Sequence, residues 1–241
     1  MIVEHKTYVG LRDIGKDNRL STKGLLSALE DAGCKHSEMA GLGITNINET
    51  KRSWLILSWR VKVLSRPEFN TNLVTKTWSR KMDKLYAYRD YNVFDEEGNP
   101  VAIASSKWLL VDYDSGKIVK LSDELSQNFK TEDRKAFEED DELGLDFNYK
   151  INNRICYRVR KSQIDLNHHL NNINFLDLAI EALKEPIDSY NEIQILYKKQ
   201  IMLDEEIYVY DCSSEEAKYV IITDQEDNID LKKVRAVIKL K

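Results

Sequence analysis

The residues with the densest potential for chemistry lie in Asp165-Leu166-Asn167-His168-His169-Leu170-Asn171-Asn172. In an extended segment, residues two apart share a face, so Asp165, Asn167 and His169 are expected to converge while Leu166, His168 and Leu170 point the other way. A carboxylate, a carboxamide and an imidazole suit hydrolysis of an activated acyl bond. His169 would take a proton from water as general base, an effect typically worth about 10²- to 10⁴-fold, while Asp165 orients the ring or activates the water itself. Asn167, together with free N–H groups at the start of a following helix, would stabilise an oxyanion, at about 2.7 to 4 kcal/mol per donor. The same residues also suit a plain turn, because Asn and Asp are favoured before helices and Asn171 or Asn172 makes a good cap.

Two helices and two blocks of strands are expected to position these groups. The first helix starts at Ser21-Thr22 and carries Leu25, Leu26, Leu29, Ala32 and His36 at helical spacing; the second starts at Asn171-Asn172, carries Ile173, Leu176, Ala179, Ile180 and Leu183, and stops near Pro186. Trp54 to Leu64, Leu73 to Arg80, Leu85 to Phe94 and Val101 to Asp112 are rich in β-branched and aromatic residues and read as a four-strand antiparallel meander. The break at Asp114 to Lys117 adds a short strand after it, and a second strand block runs from Glu192 to Leu240.

Laying Leu20 over Leu170, an offset of 150, superposes Ser21-Thr22 on Asn171-Asn172 and Leu25-Leu26 on Phe175-Leu176. The chain therefore reads as one unit written twice: strand, helix, antiparallel sheet. The expected division is 1–125 for an N-terminal unit, 126–146 for an acidic, solvated linker containing Glu138 to Glu142, and 147–241 for a C-terminal unit. An α+β tandem double hotdog, each unit an antiparallel sheet wrapped around a central helix and the two sheets joined edge to edge, accounts for this order. Under the same offset Asp165, Asn167 and His169 fall on Gly15, Asp17 and Arg19, so only the second unit carries the constellation.

Composition narrows the function classes. With 36 basic and 41 acidic side chains, a net charge of -5 argues against general nucleic-acid binding, which rests on phosphate neutralisation. No apolar run exceeds four residues, so no membrane span is expected, and the N-terminus lacks the layout of a secretory signal, which points to a cytoplasmic protein. Cys34, Cys156 and Cys212 are too scattered for disulfides or a zinc site and read as small core residues; neither metal nor cofactor is expected. His168 is expected to face away from the site, and His36 to be a satisfied core or boundary histidine.

The eight-residue stretch resembles the motif of the acyl-acyl carrier protein thioesterases, plant and bacterial enzymes with a tandem double-hotdog fold. Their D-x-N-x-H-x-N-N pattern is matched by Asp165, Asn167, His169, Asn171 and Asn172, with Phe175 and Glu181 following; Trp54 to Val63, Thr77-Trp78, Ser106 to Leu121 and Ser21 to Leu42 resemble the family's first half. The resemblance implies hydrolysis of fatty acyl-carrier thioesters to free fatty acid and holo-carrier, ending fatty-acid synthesis, with Asp165, Asn167 and His169 catalytic. It also implies that the first unit chiefly shapes the acyl pocket. Where plant members have a Glu-Cys pair after a Tyr and two basic residues, this chain has Tyr197-Lys198-Lys199 and then Gln200-Ile201. A cysteine nucleophile is thereby excluded at that position, direct attack by water is favoured, and the Gln200 amide is left to orient water or thioester.

An acidic carrier protein, implied by the resemblance, calls for a cationic dock. Arg158, Arg160 and Lys161 before the motif, Lys198-Lys199, and Arg80, Lys81 and Lys84 are the candidates. An acyl-CoA thioesterase and a non-catalytic acyl-binding hotdog sensor are the alternative functions, and a homodimer is compatible with either.

Overall fold

The computed structural model describes all residues, Met1–Lys241, which form two compact units, Met1–Asp140 and Asp141–Lys241.

In the first unit, strand β1 (Ile2–Tyr8) leads through a loop to helix α1 (Thr22–Met39). A short helix α2 (Ile47–Thr50) then precedes strands β2 (Arg52–Val63), β3 (Asn72–Met82), β4 (Tyr86–Asp95), β5 (Pro100–Asp112) and the two-residue β6 (Ile118–Val119). The sheet order is β1-β3-β4-β5-β2, all neighbours antiparallel, with β6 on β5. The expected four-strand meander is corrected in one respect: β2 pairs with β5, and β1 takes the place beside β3. Helix α1 packs on β1 and β3. It starts where Ser21 Oγ accepts from Gly24 N, and Leu25, Leu26, Ala28, Leu29, Ala32 and His36 form its buried stripe.

The second unit has the same order of parts. Strand β7 (Lys150–Arg158) leads to helix α4 (Asn174–Ala182), followed by β8 (Glu192–Tyr197), β9 (Glu206–Ser213), β10 (Lys218–Thr223) and β11 (Ala236–Leu240). The sheet order β7-β9-β10-β11-β8 matches that of the first unit strand for strand. Each unit is a hotdog.

The repeat is legible bond by bond in the loops before the two helices. Ile14 bridges Leu20, and Gly15 N donates to Arg19 O at 2.8 Å; Ile164 bridges Leu170, and Asp165 N donates to His169 O at 3.0 Å. Leu20 N reaches Pro67 O, and Leu170 N reaches Ile201 O, both at 2.7 Å. Asn18 and His168 both sit at φ 65°. One position differs instructively. A Cβ on Gly24 would come within 2.4 Å of Asp13 O, so only glycine lets the helix approach there. Its counterpart Asn174 instead donates from Nδ2 to the Gln163 carbonyl at 3.1 Å, and helix α4 begins only there, after the expected start at Asn171-Asn172.

Trp59, Tyr91, Leu29 and Leu110 are buried in the first unit and Leu170, Leu176, Leu178 and Val209 in the second, where Tyr210, Cys212, Tyr219, Ile221 and Val237 form a further cluster on the other face of β9 and β10. Each such side chain contributes about 1.5 to 3 kcal/mol by leaving water. The acidic segment is held to the first unit rather than free. Helix α3 (Asp123–Phe129) ends in a fully buried Phe129, Trp78 Nε1 donates to Arg134 O at 2.8 Å, and Arg80 Nη1 pairs with Asp140 at 2.6 Å. Of the three cysteines only Cys212 lies in a core; Cys34 and Cys156 are exposed, on the outer sides of α1 and β7. Ile180, expected in the buried stripe of α4, is 45% exposed. No helix is long and apolar enough to cross a membrane.

Candidate functional site

The loop from Ile164 to Leu170 carries Asp165, Asn167 and His169, but it is a tight reversal rather than the extended segment expected. His168 N donates to Asp165 O at 3.1 Å, and the left-handed backbone of His168 turns the chain back. Asp165 and His169 therefore meet because the loop ends close on one another, not because alternate residues share a strand face. His169 Nδ1 lies 3.7 Å from Asp165 Oδ2, and the two side chains are only 8% and 14% exposed. Oδ1 of the same carboxylate accepts the Asn167 backbone N–H at 2.8 Å, which holds the carboxylate in place.

His169 Nδ1 also faces the Leu170 carbonyl at 3.2 Å. Both groups in front of Nδ1 are oxygens that only accept, which in the neutral ring places the proton on Nδ1 and the lone pair on Nε2. The arrangement supplies a base at Nε2 and a carboxylate placed to offset the positive charge the ring gains on taking a proton. His168 is exposed at the turn.

Asn167 is exposed at the loop tip, and no hydrogen bond joins its amide to Asp165 or His169. Its amide is thus free to donate to a ligand. The N–H groups at the start of α4 are not. Those of Ile173, Asn174, Phe175 and Leu176 go to Asn171 Oδ1, Asn171 O, Asn172 O and Ile173 O. Asn171 therefore caps the turn into α4, and Asn172 contributes its carbonyl, which accepts Tyr197 OH at 3.2 Å. An oxyanion donor must come from elsewhere than this helix start.

Gln200 is exposed, and its carbonyl accepts Arg235 Nη1 at 2.5 Å. The neighbouring Ile201 O receives Leu170 N, and His169 bridges Met202, so the segment that follows β8, Lys198 to Met202, braces the loop. Arg158, Arg160, Lys161, Lys198 and Lys199 are all exposed. Arg80 is engaged by Asp140 and its side chain is only 11% exposed, which removes it from the cationic candidates.

Two positioning residues escaped the sequence reading. Gln163 Oε1 accepts both Tyr157 OH and Arg160 N at 3.0 Å, while its carbonyl accepts Asn171 N; the only signal was its place three residues after Arg160, the spacing of a capping box. Arg235 is 6% exposed and pairs through Nη2 with Asp224 at 2.9 Å and Glu205 at 3.0 Å. Nothing in the sequence around it, just before β11, marks it as a buried cation.

Comparison with known proteins agrees with this architecture. Residues 3–129 match the acyl-ACP thioesterase N-terminal domain model and residues 147–238 the C-terminal domain model. An oleoyl-acyl carrier protein thioesterase from Arabidopsis thaliana is 20% identical over 84% of this chain, and the chain spans 61% of the length of that relative. Among solved structures, an acyl-ACP thioesterase from Bacteroides thetaiotaomicron superposes with a TM-score of 0.83 at 17% identity, covering 99% of this chain and 96% of that one. A 12:0-ACP thioesterase from Umbellularia californica gives 0.80 at 15% identity, covering 100% and 96%. These similarities establish a double-hotdog fold. With both domain models matched over most of its length, the chain belongs to the acyl-ACP thioesterase family.

Proposed function

We propose that the protein hydrolyses fatty acyl thioesters carried on acyl carrier protein, releasing free fatty acid and holo-carrier. Family membership supports the substrate class. The observation that carries the chemistry is the buried Asp165–His169 pair, with Nδ1 facing two acceptors. His169 Nε2 takes a proton from water as the water oxygen attacks the thioester carbonyl. Asp165 holds the ring in the reactive tautomer and offsets its charge, and the Asn167 amide donates to the carbonyl oxygen as it becomes an oxyanion. The tetrahedral adduct then collapses, the C–S bond breaks, and the imidazolium returns its proton to the departing thiolate. Ile201 stands where a nucleophile would be needed for an acyl-enzyme, and the exposed Gln200, next to it in the chain, carries an amide suited to orienting water or thioester. In fatty-acid synthesis such hydrolysis ends chain growth.

The test is a comparison of kcat/KM for one acyl chain on carrier protein and on CoA. Preference for the carrier is expected; preference for CoA would overturn the carrier assignment and favour an acyl-CoA thioesterase.

A further inference from the structure

The chain is acidic overall, with a net charge of -5, yet one recess in the second unit is strongly cationic. Lys198, Lys199, Lys232 and Lys233 line it together with Asp224 and Gln225, around a volume of about 430 Å³. The carboxylate in this lining is paired, Asp224 Oδ2 lying 2.9 Å from Arg235 Nη2, a guanidinium it shares with Glu205. Lys233 lies 3.5 Å from Asp230, whose carboxylate Lys232 also flanks, and that pair is exposed. Exposed pairs of this kind are worth little, so the four ammonium groups together present a net positive face.

The recess is built rather than incidental. Lys198 N and Lys199 N both donate to Arg235 O, at 2.9 and 3.2 Å, which fixes one wall. Across from them, Gln225 Oε1 accepts Asp230 N at 3.0 Å while its Nε2 donates to Thr223 Oγ1 at 3.0 Å, and Lys232 N donates to Asp230 Oδ1 at 2.9 Å. The Lys232-Lys233 turn is therefore held in register with Lys198-Lys199. The same wall leads to the reactive loop: Lys199 is two residues from Ile201, whose carbonyl accepts Leu170 N beside His169, a chain distance of at most about 7 Å between those Cα atoms.

We infer that this recess is the docking face for an acidic protein surface, and that its occupant is a carboxylate-rich face of the carrier protein. Lys232 and Lys233 supply the half of the dock that Lys198 and Lys199 alone lack. The inference rests on the proposed carrier-linked substrate and deepens it. Opposed charges of this kind accelerate encounter and set register, and salt screens them.

The test uses the full chain with Lys232→Glu/Lys233→Glu, and Lys232→Gln/Lys233→Gln as the milder variant. At low ionic strength KM for an acyl-carrier thioester should rise at least tenfold in the Glu variant and less in the Gln variant. KM for the same acyl group on pantetheine, which has no carrier, should be unmoved. Added salt should raise KM in wild type and hardly change it in the Glu variant. Equal KM values for the carrier thioester would overturn the dock. A parallel rise for acyl-CoA would overturn it too, by showing that the lysines hold a phosphate of the small thioester. Titration with unacylated holo-carrier reads docking without turnover: wild type that binds it through these lysines but hydrolyses neither thioester would remove the hydrolase reading and leave the dock standing.

Discussion

His169 Nδ1 sits 3.7 Å from Asp165 Oδ2 in a loop whose ends, Ile164 and Leu170, bridge each other. The pairing comes from chain reversal at His168, so the local backbone, rather than a distant contact, brings base and carboxylate together.

The two oxygens of Asp165 do different work, and substitutions should separate them. Oδ1 accepts the Asn167 N–H and Oδ2 faces the imidazole. Asp165→Asn keeps an acceptor for the loop and loses only the charge, so kcat should fall steeply with Tm nearly unchanged. Asp165→Ala loses the loop bond as well and should cost a further 0.5 to 1.5 kcal/mol or about that in stability. Paired urea melts and turnover assays check this; equal stability losses in the two variants would contradict the loop role.

Arg235 should act on the site through the segment after β8. It is buried, holds Gln200 O, and pairs with Glu205 and Asp224, which are themselves 31% and 42% exposed. Arg235→Met should destabilise the protein by about 1 to 3 kcal/mol, since two partly solvated carboxylates lose their donor. It should also lower kcat on a small thioester without raising its KM. Arg235→Lys should recover only part of both, lacking the planar fork. Full recovery by lysine would refute the fork geometry.

His36 should give the protein a stability slope in mild acid. Burial, with the Arg89 guanidinium 2.7 Å from Nδ1, lowers its pKa to about 3. An unfolded histidine titrates near 6.5, so between these values the unfolded chain binds the extra proton and stability falls as pH drops, by at most about 1.4 kcal/mol per unit from this residue. Above that window the residue is neutral in both states and contributes no slope. His36→Gln should flatten the profile below pH 6.5 relative to wild type in urea melts; parallel profiles would show that His36 is not buried neutral.

Thiol reactivity should divide the cysteines two and one. Cys34 and Cys156 are exposed, whereas Cys212 is buried and its thiol is pushed up to about 12 by burial and by the adjacent Asp211. An aromatic disulfide reagent should modify two thiols in the native protein and the third only in denaturant. Modification of Cys212 first would contradict the packing of β9.

What could be seen in the sequence depended on the range of the interaction. The period of α1 and the Ser21 cap are local, so that helix was readable almost to its first residue. The offset of 150 was visible from Leu20 and Leu170 because both fill the same place before a helix, and both are buried. Pairing partners were less legible: β2 lies beside β5 rather than β3, a choice made by β1 occupying the other edge, which no local pattern announces. At the site, residue types identified Asp165 and His169, but a strand-like alternation was the wrong reason. The turn depends on His168 in a left-handed conformation, which histidine tolerates without advertising. The roles of Arg235 and Gln163 are tertiary, set by carbonyls far along the chain at Gln200 and Asn171.

The rate of hydrolysis of an acyl-carrier thioester by His169→Ala, measured beside its affinity for the same acylated carrier, bears most directly on the site. With His169 as the base, kcat should fall by about 10²- to 10⁴-fold while binding of the acylated carrier stays within a few-fold of wild type. Turnover at the wild-type rate in a folded His169→Ala protein would contradict the assignment of His169 and, with it, the water-attack mechanism built on the Asp165 pair.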